Sequence, residues 1–374
     1  MLILSAGTDR LVRETDAVDP IELIEALGED RVLALGGLAI GALFGFLAQR
    51  SRFCLRAAVV EVARGSFGAK LAVWLFAFSA ALITTQLLVL EGAFSTVAVR
   101  QLASQGSLSG ALIGGLLFGC GMVLARGCSS RLLVLAANGN LRALLSGLVF
   151  AVTAQASLHG ALSPLREWLA ALWTIPGGSS RDLLALGTFG NSGGVLFGLL
   201  WFGAGAWFAA RHRVGPWGWA GGIGCGVMVA LAWWFTGRMA ALTFEPTAVQ
   251  SLSFTGPSAD MLMRVLSPPG QALNFDLGMV PGVFLGSFLA ALLFRELKLE
   301  GFQGGPAMRR YIAGAVLMGF GGMLAGGCAV GAGVSGAAVF ALTAWLTLCS
   351  MWAGAALTDR LVDRGSQAAA GSAP

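Results

Sequence analysis

Apolar residues in this chain fall in long unbroken runs, with the charges gathered between them. A hydrocarbon layer about 30 Å thick takes about 17 to 25 helical residues to cross. Nine runs come within reach of that length: 32–49, 71–90, 107–125, 143–158, 192–210, 214–237, 277–294, 311–326 and 334–358. The pattern predicts an all-α polytopic membrane protein of about nine transmembrane helices. No charge separates the last two runs, and the 48 residues from Tyr311 to Thr358 would make about 72 Å of helix at 1.5 Å per residue. One crossing cannot hold such a rod. The break is expected in GGCAVGAG, residues 326–333, where glycines flank Cys328 and lower helix propensity.

An internal repeat runs through the same pattern. GCGMVLARGC, ending at Cys128, matches GFGGMLAGGC, ending at Cys328, at six of ten positions with an offset of 200. SRFCL, at 51–55, falls near SFTGP, at 253–257, so that Cys54 pairs with Phe254 or, after a one-residue shift, with Thr255. Each half reads as span, short interrupted element, span, span, Gly-Cys break and span, with the single run 192–210 between the halves. Four spans plus one is odd, so the second half is expected to enter the membrane inverted, with short re-entrant helices. The expected organisation is a tail (1–31), a first membrane repeat (32–158), a linker with one connecting helix (159–213), an inverted second repeat (214–358) and a cytoplasmic tail (359–374). Spacings such as Gly37, Gly41 and Gly45, or Gly282 and Gly286, point to close helix packing.

Composition supports the membrane reading. Hydrophobic residues make up 56% and charged residues 11% of the chain, where a soluble domain carries about 25% charged. Mean hydropathy is +0.77. These values exclude a cytosolic enzyme, a disordered regulator and a secreted disulfide scaffold. The start, MLILSAGTDR, lacks the basic and apolar regions of a cleaved signal peptide. With nine alternating spans, 16 Lys and Arg fall on the side of the C-terminus and 8 on the side of the N-terminus. The positive-inside rule then places the C-terminus in the cytoplasm and the N-terminus outside. The net charge of +5 reflects these anchors, and no nucleic-acid partner is expected.

Six cysteines are the residues with chemistry to offer. Cys120, Cys225 and Cys349 sit inside apolar runs and read as small packing residues. Cys128 and Cys328 lie at glycine-rich breaks, where backbone amides and a following helix N-terminus can face an anion. Cys54 follows the basic junction QRSR. No CxxC occurs, and no His/Cys set has ligand spacing, so neither a metal nor any other cofactor is expected. No acidic residue falls in mid-span. Asp260 and Asp276 are placed in the segment before the seventh run, where Asp260 could line a re-entrant helix.

SRFC, LARGC and LAGGC, with SFTGPSAD between, resemble the YeeE/YedE family of bacterial sulfur-compound transporters over roughly 32–358. The resemblance implies a non-enzymatic inner-membrane protein with pseudo-two-fold halves. Such a protein would import thiosulfate or a related sulfur anion past cysteines that pass the anion along by S–H hydrogen bonds. Carried over by motif, the substrate contacts are Cys128, Cys328 and Cys54. Two departures bear on them. Arg126 stands where the mirrored motif has Gly326, and the second half has no cysteine near SFTGPSAD, so Thr255 would serve there. The expected partners are the sulfur anion, the lipid bilayer and a cytoplasmic sulfur-carrier or rhodanese-like protein. Two other readings stay open: a membrane anchor for a soluble sulfurtransferase, and a membrane thiol oxidoreductase. The latter needs two neighbouring cysteines, and the sequence offers only distant candidates.

Overall fold

A computed structural model of the chain describes residues 20–364, apart from 188, 189, 244–246, 269, 271 and 303. The ends of both predicted tails, 1–19 and 365–374, lie outside the described residues. Helix α1 (Pro20–Leu27) leads into α2 (Glu29–Ser51), a short α3 (Leu55–Ala63) and α4 (Ala69–Leu90). After the single turn α5 (Arg100–Ala103) come α6 (Leu108–Leu124), a short α7 (Ser129–Ala137) and α8 (Leu141–His159). Helix α9 (Ser163–Ala171) and the turn α10 (Leu183–Leu186) precede α11 (Gly190–Arg211). The second half runs through α12 (Pro216–Leu242), a short α13 (Thr255–Leu266), α14 (Phe275–Leu293), α15 (Gly305–Leu324), a π-helical turn at Gly331–Gly336 and α16 (Leu342–Thr358).

Among the described residues, seven helical stretches are long and apolar enough to cross a membrane; they contain α2, α4, α6, α8, α11, α12 and α14. Side chains such as Leu196, Leu200, Leu293 and Val152 point outward from them, as a lipid-facing surface requires. Where the sequence predicts an eighth and a ninth span stand α15, which opens with Arg309 and Arg310, and α16, which has 17 residues. The break between them runs from Ala325 to Ala341, longer than expected.

Glycine sets the packing, since a residue without a side chain lets backbones approach. Gly37, Gly41 and Gly45 of α2 lie against α14 at Phe275, Met279 and Val283, and Gly278, Gly282 and Gly286 receive Ala34, Leu38 and Ala42 in return, so the two helices run parallel. Helices α6 and α15 cross antiparallel, with Gly114 against Gly321 and Gly121 against Gly314. The packing is reciprocal: α2 pairs with α14 and α12 with α4, while α6 pairs with α16 and α15 with α8.

The linker is a packed element. Two residue pairs, Gly106–Ser107 and Thr174–Ile175, form a small antiparallel ladder. Arg181 donates to the Ser104 carbonyl and to Thr343 Oγ1, the latter at 2.6 Å. The segment from 359 is held as well. Asp359 takes two hydrogen bonds from Arg64, at 2.6 and 2.9 Å, and Asp363 pairs with Arg310 at 2.6 Å.

Candidate anion pathway

Each motif cysteine follows the same kind of chain reversal. Helix α6 ends at Leu124, and Arg126 turns left-handed (φ 56°). Gly127 N–H then closes back on the Met122 carbonyl at 3.0 Å, and Cys128 leaves in an extended conformation to start α7. Helix α15 does the same 200 residues later: it ends at Leu324, Gly326 is left-handed (φ 77°), Gly327 N–H reaches the Gly322 carbonyl at 2.9 Å, and Cys328 follows. Both are helix ends of the Schellman type, which favour glycine at the left-handed position. Helix α2 ends likewise at Arg52 (φ 55°), and Cys54 caps α3. Because α6 and α15 are antiparallel, Cys128 and Cys328 stand at opposite ends of the bundle.

At one end, the thiols of Cys54 and Cys128, which cap α3 and α7, lie within electrostatic reach of each other. These two residues are 74 apart in sequence, and the fold brings their thiols within electrostatic reach of each other. Cys128 Sγ also lies 3.4 Å from Ser130 Oγ. Arg126 is exposed, and the charge that reaches both thiols is that of Arg131. The Arg131 guanidinium extends to Gln49 Oε1 at 3.5 Å, and Gln49 in turn donates to Glu296 at 2.8 Å. Arg142 donates to the Ala125 carbonyl at 3.0 Å and so tethers the reversal that carries Cys128.

At the other end, Cys328 is fully buried and accepts from the N–H groups of Phe254 and Gly331, both at 3.3 Å. The π-helical turn that starts at Gly331 is pinned by Ser335, which donates to the Leu252 carbonyl at 2.8 Å and accepts from Trp233 Nε1 at 3.2 Å. Gly331 is required here, since a side chain would run into Ser253.

Above this turn opens a cavity of about 510 Å³. Its walls carry Arg100, Arg166, Arg181, Thr255, Asp260 and Asp276, and its floor includes the Gly326–Gly327 bend beside Cys328. Thr255 is 1% exposed, yet its Oγ1 has no hydrogen-bond partner. Sequence reasoning missed the arginines, because isolated charges between apolar runs read as membrane anchors. It also placed Asp276 before the seventh span, whereas Asp276 lies in the first turn of α14 and is buried.

Between the two ends stand three buried phenylalanines. Phe44 meets Phe53, which precedes Cys54, at 6.3 Å between ring centroids, and Phe254, which precedes Thr255, at 5.8 Å. The cavity and the cysteine pair are thus separated by an apolar layer.

Comparison with known proteins points the same way as the cysteine motifs. The chain is 27% identical over 360 residues to the thiosulfate transporter TsuA of Escherichia coli, covering 85% of this chain and 92% of that protein. It is also 27% identical over 327 residues to the thiosulfate transporter TsuA of Spirochaeta thermophila, covering 83% and 93%. The model of one family, described as sulphur transport, matches residues 50–357 and so takes in Cys54, both mirrored reversals and the cavity at the Cys328 end: the chain belongs to the sulphur-transport family, the YeeE/YedE proteins.

Proposed function

We propose that this protein imports thiosulfate, or a closely related sulfur anion, across the bacterial inner membrane without chemical change. The route runs from the arginine-bearing cavity past Thr255 and Cys328 to Cys54 and Cys128. The observation that carries this reading is the reversal of helix end, left-handed residue and cysteine, present twice at an offset of 200 and at opposite ends of one bundle. The same relation supports nine spans in two inverted repeats, since α6 and α15 occupy equivalent places and run antiparallel. The cavity end is outside, together with the N-terminus; the Cys54–Cys128 end and the C-terminus face the cytoplasm, in line with the Lys and Arg count.

The chemistry suits a soft, weakly hydrated anion. Thiols are weak donors, so they hold such an anion without trapping it, and passage requires sites that are favourable yet weak. The starts of α3 and α7 supply positive potential, to which Arg131 adds. The Phe53, Phe44 and Phe254 layer closes the route in the conformation described, so passage requires those rings to move. Thiosulfate carries two negative charges, and each charge moved inward against an inside-negative potential costs about 2.3 kcal/mol per 100 mV. Import therefore needs a coupled driving force. A cytoplasmic sulfur-carrier or rhodanese-like protein is the natural recipient at the inner end.

Growth on thiosulfate as sole sulfur source, in a strain lacking other uptake systems, tests the reading. Failure of the wild-type chain to restore growth, despite normal membrane insertion, overturns it. One observation favours a second reading, a membrane thiol oxidoreductase: the electrostatic coupling of the Cys54 and Cys128 thiols. Isolation of that pair as a disulfide during turnover would support it.

A further inference from the structure

The cavity holds groups that an anion site alone does not call for. Asp276 is 9% exposed, and its Oδ1 has no hydrogen-bond partner. It shares the cavity with Asp260 and with the unpartnered Thr255 hydroxyl, while Arg181 is buried with an unpartnered Nε. Buried polar atoms are almost always satisfied, and exceptions call for an explanation such as an absent ligand. Thr255 and Arg181 offer donors to an anion. A carboxylate in the same cavity repels one.

We propose that Asp276 takes up the proton that enters together with the sulfur anion, making the cavity a joint site for proton and anion. This rests on the transport reading above and supplies part of the driving force it requires, since one proton offsets one of the two negative charges and the pH gradient adds to it. With a proton on Asp276, the carboxyl becomes a donor and the anion can occupy the arginine side of the cavity. When the proton leaves toward the inside, repulsion returns and the anion is pushed onward.

The charged groups facing Asp276 are Asp260 from α13 and Arg100 from α5, with the Gln250 amide beside it. His159, at the end of α8, acts on Asp260. Helix α13 also carries Arg264 in its last turn. Helix α2, packed along α14, contributes Glu29, Asp30 and Arg31 at its start, and α7 approaches the far end of α14 with Arg131. Among the described residues, Asp276 alone of the acidic groups facing this cavity combines burial with an unpartnered oxygen.

The test uses purified full-length protein in proteoliposomes loaded with a pH-sensitive dye, with radiolabelled thiosulfate outside. The wild type is expected to acidify the lumen as thiosulfate enters, and an acid-outside gradient should raise initial uptake about tenfold. Asp276→Asn should lose both the acidification and the response to the gradient, and Asp276→Glu, which keeps a titratable carboxyl, should retain them. The wild-type proton count needs no variant, so a folding defect in Asp276→Asn leaves the test intact. Thiosulfate entry without proton entry, a gradient response preserved in a well-folded Asp276→Asn, or dependence on sodium instead would overturn the coupling alone. Absence of any thiosulfate uptake by the wild type would overturn the transport reading with it.

Discussion

The backbone N–H of Phe254 donates to the Sγ of Cys328 at 3.3 Å across 74 residues of chain, the same separation that divides Cys54 from Cys128, whose thiol lies within its electrostatic reach. In both halves a short helix start meets a cysteine at a broken helix, so the two cysteine sites are built to one plan.

Cys128→Ala and Cys328→Ala should each abolish thiosulfate uptake while leaving membrane insertion normal. Cys54→Ala should reduce uptake at least tenfold, because Cys128 then loses the thiol it faces. Uptake of labelled thiosulfate by membrane vesicles, set against protein content, checks all three; normal transport by the double variant C128A/C328A would reduce the thiols to packing groups.

Thr255→Val separates a ligand-facing hydroxyl from a structural one. The Oγ1 has no partner, so replacing it by a methyl of similar shape breaks no hydrogen bond and should leave the melting temperature in detergent equal or slightly raised. Uptake should nevertheless fall about tenfold. A fall in stability of more than about 1 kcal/mol would show the hydroxyl to be structural.

Arg126→Gly and Arg131→Met should differ. Glycine suits the left-handed conformation at 126, as Gly326 does in the mirrored bend, so the fold should tolerate the change; loss of one exposed charge should raise the thiosulfate concentration for half-maximal uptake only a few-fold. Arg131 reaches both thiols and Gln49, and its replacement should cost more than tenfold. Equal effects in a concentration series would contradict this assignment.

The Arg64–Asp359 pair predicts an asymmetry in stability. Asp359 is fully buried, whereas the Arg64 side chain is 36% exposed. Arg64→Ala takes two charge-assisted hydrogen bonds from a buried carboxylate and should cost about 4 kcal/mol, while Asp359→Asn leaves an arginine that can rehydrate and should cost about 2 kcal/mol. Thermal unfolding in detergent measures both, and the reverse order would refute the burial argument.

Topology reporters fused after Gln101 and after the C-terminus should report outside and cytoplasm respectively. Both on one side would break the inverted-repeat reading, since α6 and α15 could then not enter from opposite faces.

The amino-acid sequence alone determined where the helices lie and where they break. Runs such as 71–90 and 192–210 reappear as Ala69–Leu90 and Gly190–Arg211, because span length and apolar composition act locally and need no partner. The offset of 200 was legible for the same reason: glycine at 326 and the cysteines at 128 and 328 mark backbone reversals that each short segment makes on its own. Only the tertiary structure decided what meets at those reversals. Cys54 and Cys128, 74 residues apart in sequence, come within electrostatic reach of each other. Arg100, from the segment after α4, and Arg166 and Arg181, from the linker, each read as an anchor, yet they converge on one cavity. Asp276 and Asp359, each beside the end of an apolar run, gave no sign of being buried. A charge's environment is set by which distant elements pack over it, and the glycine contacts between helices, not the runs themselves, decide that.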